Sequence, residues 1–294
     1  MIPDNNILFS LALIAAILGK IRLSYLAKEP SMPTFNTSQT ALFYTDTGRG
    51  NPLIFIHGLG ASGRMFEPQV EAFSHTHRVI CPDLRGNGQS GRLAGPVSTI
   101  LHRQCDDLAD LMDTLSIKQA ILCGVSYGGV FTYHFALRYP EKVKAIIIVD
   151  SAGDTDPNCL KERLILISLC TAFWLIYLPT RLLLPIVRAQ YRRWPLAQNH
   201  ILFIVKHLRK HEAVLQHFAI LRTNHTSQLH RLTCPALGIV GNALDISLRL
   251  MQRSMQKIAG SELYVVTNSL DPTNLCQKEN FNSLVKTFLA KLHW

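Results

Sequence analysis

Residues 119–140, QAILCGVSYGGVFTYHFALRYP, place an apolar run directly before Gly124-Val125-Ser126-Tyr127-Gly128 and a helical run directly after it. A serine held between two glycines at a strand-to-helix junction restricts the architecture severely. A strand has to deliver it into a sharp turn, and the turn has to feed a helix. The glycines follow from crowding, because a Cβ on either flank of such a turn would clash with the chain it packs against. The turn lifts the Ser126 Oγ above the sheet edge. An incidental glycine-rich turn would show the same spacing, but the strand before it and the helix after it give the pattern its context.

The surrounding chain supplies the rest of a sheet. PLIFIHG and HRVICPD precede the Ser126 segment, VKAIIIVDSAG follows it, and each is a short β-branched or aromatic run of the kind buried on both faces of a parallel sheet. Between them, Gln104 to Leu115 carries Leu108, Leu111, Met112 and Leu115 at helical spacing. Ala41 to Thr45 is an expected edge strand, closed by the turn DTGRGN. Strand and helix in alternation predict a mostly parallel central sheet with right-handed crossovers. The alternation stops between Gly153 and His230, where only helical patterns occur, and resumes with CPALGIVGNALD, a helix near Leu248 to Ile258, the strand SELYVVTN and a closing helix from Asn280 to Leu292. The expected organisation is an N-terminal hydrophobic segment over 1–28, a linker over 29–40, a core over 41–152 and 231–294, and a helical cap inserted over 153–230. A chain of 294 residues, 48% hydrophobic, is long enough to bury such a core.

A second motif, His57-Gly58-Leu59-Gly60, ends the strand PLIFI, and DLRGNGQSG follows at Asp83 to Gly91. With CGVSYGG, these segments resemble the α/β-hydrolase superfamily from about Ala41 to Trp294. The resemblance implies an α/β-hydrolase fold and a serine hydrolase acting on carboxylic esters, with Ser126 as nucleophile and no cofactor or metal. It implies an oxyanion hole made by the backbone N–H groups of Leu59 and Tyr127. His57 is expected to support its loop, and Asp83 and Arg85 to shape theirs. The acid of the triad falls on Asp245 after the strand ALGIV, one residue later than is usual. Asp150, at the end of AIIIVD, is the alternative.

The same resemblance requires a histidine after the last strand, and none occurs between Arg231 and Leu292. Aligning ENFNSLVKTFL through Phe281 places Asp271 where that histidine belongs. An ordinary carboxylate titrates near pH 4 and is a poor base for a serine hydroxyl, whereas an imidazole near 6.5 suits the task. Asp271 beside Asp245 is expected to raise one of the two pKa values by like-charge repulsion. His134 is too far along its helix. His225, at the end of the cap, is the alternative base, set against the plainer expectation of a solvated loop histidine. A protein that retains the pocket and turn but only binds a lipophilic ligand or partner is the alternative to an ester hydrolase.

Charge and hydropathy bear on location. The chain carries 30 Lys+Arg against 20 Asp+Glu, a formal net charge of +10, which favours an anionic partner. No zinc-finger spacing or aromatic-basic interleaving accompanies it, so nucleic acid is not expected. Ile7 to Gly19 is uncharged and apolar, and is followed by Lys20, Arg22 and Lys28. Basic residues after such a run, and none before it, point to an anchor with the body on the cytoplasmic side; a signal peptide on a secreted or periplasmic protein, or an interfacial helix, is the alternative. In the cap, Leu164 to Pro179 is apolar on every face and precedes a run of basic residues. Either this helix is buried on the core, or it faces a membrane surface or a lipophilic substrate.

Overall fold

The computed structural model describes residues 34–36, 40–292 and 294. The N-terminal apolar run lies outside the described residues. The β-branched segments form β1 (Thr34–Asn36), β2 (Ala41–Thr47), β3 (Pro52–Ile56), β4 (Arg78–Pro82), β5 (Ala120–Val125), β6 (Val143–Val149), β7 (Ala236–Gly241) and β8 (Glu262–Val266). They make one eight-stranded sheet in the order β1-β2-β4-β3-β5-β6-β7-β8. β1 and β2 run antiparallel at one side, and the strands from β4 to β8 are parallel. Ala41 to Thr45, expected at the edge, lies one place in, because Thr34 pairs outside it with Phe43. Part of the expected linker over 29–40 is therefore sheet.

Alternation along the central strands builds two cores. Ile54, Ile56, Leu122, Ile146 and Ile148 point to one face. There they meet α2 (Ile100–Thr114), α3 (Tyr127–Arg138) and α8 (Asp245–Gln256). Leu53, Phe55, Ile121, Cys123, Ile147 and Val149 point to the other, against Phe73 of α1 (Glu67–Phe73) and Phe281, Val285 and Phe288 of α10 (Lys278–Lys291). Each fully buried Phe contributes roughly 1.5–3 kcal/mol relative to exposure.

Four helices lie between β6 and β7: α4 (Leu160–Ala172), α5 (Thr180–Gln190), α6 (Pro195–His207) and α7 (Lys210–Leu221), with a short 3₁₀ turn at Phe173–Tyr177. α4 is not a buried helix. Leu160, Leu164 and Ile167, at 71%, 57% and 50% exposure, leave one of its faces open to solvent. Among the described residues, no helix is long and apolar enough to cross a membrane.

The chain adds β4 on one side of β3 and then β5 on the other. The loops leaving the C-terminal ends of β3 and β5 therefore diverge and open a crevice, the place where sheets of this kind hold ligands. HGLG leaves β3 and Ser126 leaves β5, so both motifs face that crevice.

Candidate active site

Ser126 ends β5 and caps α3 with φ 54° and ψ −114°, a strained backbone for a residue with a side chain. Its amide donates to the Val149 carbonyl at 2.8 Å, tying the turn to β6. Packing explains both flanking glycines. A Cβ on Gly128 would collide with the Ile56 carbonyl oxygen, and one on Gly124 with the Gly128 carbonyl oxygen. The Thr132 hydroxyl donates back to Gly128 O at 2.7 Å and fixes the first turn of α3.

The β3 loop runs alongside. A Cβ built on Gly58 would lie 3.6 Å from the Ser126 Cβ, so the Leu59 amide that follows is adjacent to the serine. Tyr127 is the first residue of α3, and its N–H has no acceptor within the helix. His57 is fully buried beneath this loop. Its Nδ1 donates to Gly58 O at 2.8 Å and its Nε2 accepts from Leu84 N at 3.0 Å, and burial lowers its pKa, so the ring is a neutral brace. Asp83 accepts from the amides of Gly63 and Gln89 at 2.7 and 2.8 Å, and buried Arg85 pairs with Asp107. These three side chains hold loops and do not reach Ser126.

The carboxylates are arranged differently from the sequence expectation. The Asp271 side chain, in the loop after β8, lies close enough to the Ser126 hydroxyl for that group to favour its ionised form. Burial and the nearby charge of Asp150 push the Asp271 carboxyl up to about 8. Asp150 ends β6 at φ 47° and accepts three hydrogen bonds: from Gly241 N at 2.9 Å, Thr273 N at 2.7 Å and the Thr273 hydroxyl at 3.0 Å. Burial raises its pKa as well, against those three donors, which favour its ionised form. Asp271 has only the serine, so the proton that two neighbouring carboxylates retain belongs on Asp271.

Asp245 is not in this group. It is exposed at the start of α8, where a carboxylate favours the positive end of the helix dipole. The loop ahead of it is pinned by Ala243 N donating to Ser269 O at 3.1 Å and Asn268 N donating to the Asn242 side chain at 2.9 Å, so the residue four after Gly241 is already in the helix. The like-charge neighbour of Asp271 is thus Asp150 instead. Nor does His225 reach the serine. It is buried rather than solvated, and its Nε2 lies 3.1 Å from the Nδ1 of His134, about two helical turns beyond Ser126. Burial and His134 hold its pKa down to about 4.

Three contributors carry no signal in the sequence. Thr273, fully buried, fixes Asp150 and in turn accepts from the Ser269 hydroxyl at 2.9 Å. From the cap, the Tyr191 hydroxyl donates to Asp271 O at 2.6 Å and Trp194 Nε1 to Asn268 O at 3.0 Å. The cap thereby holds the loop that bears Asp271. Side chains of Ile204 and Leu208 lie against Gly60, so the roof over the β3 loop is aliphatic. Among the described residues, no cluster of His, Cys, Asp and Glu is placed to hold a metal ion.

Comparison with known proteins bears on the fold. A family described as "alpha/beta hydrolase fold" matches residues 51–168. The 3-oxoadipate enol-lactonase 2 of Acinetobacter baylyi is 33% identical over 130 residues, 42% of this chain and 48% of that protein. The chain spans just under half the length of such curated relatives. Solved structures extend the likeness across the sheet and cap. A thermophilic esterase from Thermogutta terrifontis has 26% identity and a TM-score of 0.69 over 91% of this chain and 100% of its own. An enol-lactonase from Burkholderia xenovorans superposes with a TM-score of 0.75 at 23% identity, over 88% of this chain and all of its own. On the family match and these likenesses of fold, the chain belongs to the α/β-hydrolase superfamily.

Proposed function

We propose that the protein is a hydrolase of lipophilic carboxylic esters in which Asp271 takes the place of the histidine base. The juxtaposition of the Ser126 hydroxyl with a buried carboxyl whose pKa is pushed up to about 8 carries this reading. A carboxylate of that basicity is at least as good a proton acceptor as an imidazole of pKa about 6.5. Ionised Asp271 takes the Ser126 proton as Oγ attacks the ester carbonyl. The amides of Leu59 and Tyr127 hold the oxyanion, and Asp271 returns the proton to the departing alkoxide. Water then repeats the sequence on the acyl-serine. Burial and, after it, the negative charge of Asp150 keep the Asp271 carboxylate strongly basic. The aliphatic roof of Ile204 and Leu208 supports an apolar acyl or alcohol group, and a membrane as its source.

Only about a tenth of Asp271 is ionised at pH 7 if its pKa is about 8. The same fact favours a second reading, ligand binding without turnover, for a site held in its protonated state. A pH–rate profile on a p-nitrophenyl acyl ester separates them. Turnover that depends on Ser126 and climbs about tenfold per pH unit up to about pH 8, then levels, supports the hydrolase; Ser126-independent hydrolysis at every pH leaves only binding. Replacing Asp150 by Asn removes the neighbouring charge, so the rising limb moves to lower pH.

A further inference from the structure

The outer side of the cap exposes large apolar side chains on three consecutive elements. Leu164 and Ile167 of α4 are 57% and 50% exposed, Trp174 and Leu175 of the following turn 54% and 51%, and Leu182 and Ile186 of α5 52% and 53%. Leaving them in water forgoes part of the stabilisation that burial would give, and concentration of such residues marks an interaction surface. The charges nearby are of one sign. Residues 163–211 hold eight of the 30 basic side chains and none of the 20 acidic ones. Arg181, Arg188, Arg192 and Arg193 are exposed, and none takes part in an ion pair among the described residues. Trp174 and Tyr177 stack with centroids 5.9 Å apart, an exposed aromatic pair of the type that settles at a headgroup boundary.

We propose that this face, formed by α4, the Phe173–Tyr177 turn and α5, docks on an anionic phospholipid bilayer. Apolar side chains enter the acyl boundary by roughly 5–10 Å while arginines meet the headgroups. Each arginine near an anionic surface contributes about 1 kcal/mol. A lipid surface fits better than a protein partner because the chemistry asked for is unspecific: aliphatic groups, an aromatic pair and uncompensated positive charge. Behind the turn, a cavity of ≈ 120 Å³ lined by Cys170, Phe173, Trp174, His217, Phe218 and Leu221 offers room for an acyl segment. α5 leads directly into Tyr191 and Trp194, which hold the Asp271 loop, so the docked face is continuous with the site. That docking delivers an ester to Ser126 rests on the hydrolase reading above; docking itself does not.

The test uses the full-length Ser126→Ala protein, which cannot turn lipid over, with vesicles of phosphatidylglycerol and phosphatidylcholine carrying brominated acyl chains. The chain has three tryptophans, so Trp174→Phe separates the proposed docking face from Trp194 and Trp294. Docking predicts quenching of tryptophan emission on anionic vesicles, loss of most of that quenching in Trp174→Phe, and at least tenfold weaker vesicle binding by Arg181→Glu/Arg188→Glu. Quenching that persists unchanged in Trp174→Phe overturns the proposal and assigns binding to another part of the chain. Absence of quenching overturns it too, as does a dimer in solution that Ile167→Ser dissociates, since a second copy then covers the face. Soluble-ester turnover by the native protein fails or succeeds independently of all three outcomes.

Discussion

The turn that carries Ser126 and the loop that carries Asp271 meet at one site, yet they are built on different principles. The turn is dictated by backbone contact: Gly124 and Gly128 have carbonyl oxygens where a Cβ would be, and Ser126 is fixed at positive φ. The loop is held by side chains and by the cap, through Thr273, Tyr191 and Trp194. Steric dictation tolerates almost no substitution. A loop held by remote hydrogen bonds keeps its path while the residue at its tip changes chemical type. Asp271 shows the consequence, a carboxyl held beside Ser126 with its pKa raised by its surroundings, the base of the proposed reaction.

Substitution at the serine has the largest expected effect. Ser126→Ala lowers ester turnover on the order of 10³-fold or more, to the rate of the purified protein's background, measured with a p-nitrophenyl ester at pH 9. Retained turnover would mean that the turn is structural only. Asp271→His comes next. With an imidazole at the loop tip, mostly neutral at pH 7 where Asp271 is about a tenth ionised, labelling of Ser126 by a fluorophosphonate at pH 7 rises by up to about tenfold. No increase would show that the loop does not present its tip residue as a base.

Stability reports on the loop separately. Asp271 binds its proton up to about pH 8 in the folded chain, against about 3.9 when unfolded. Between those values the native state holds a proton the unfolded state has lost, so stability falls as pH rises from about 4 to about 8, by at most about 1.4 kcal/mol per unit. Chemical denaturation of Asp271→Asn across this range should lose that slope; an unchanged slope would place the raised pKa elsewhere. Smallest of all is Asp245→Asn. An exposed helix-start carboxylate contributes within about 0.5 kcal/mol, and both turnover and midpoint should stay put. A large loss of turnover there would restore Asp245 to the site.

Much of this was legible in advance. Strand–Gly-x-Ser-x-Gly–helix fixes its own geometry because the requirement is local, and the central strands are recognisable because burial on both faces demands unbroken apolar runs. The position of Asp271 was legible by spacing from Phe281. Its partner was not. Asp150 and Asp245 each end or follow a strand, and the choice turns on whether the β7 loop is still a loop at its fourth residue, which hydrogen bonds from the β8 loop decide. His225 is similar: nothing local distinguishes a solvated histidine from one buried against His134.

The sequence by itself determined the sheet, the serine turn and the absence of a histidine between Arg231 and Leu292, because each depends on residues that are neighbours in the chain. Only the tertiary structure decided that Asp150 is the carboxylate beside Asp271, that burial raises the Asp271 pKa to about 8, and that the cap both grips the Asp271 loop and turns apolar side chains outward. Those properties come from desolvation and from contacts between segments more than a hundred residues apart, such as Asp150 with Thr273, and linear spacing does not encode them.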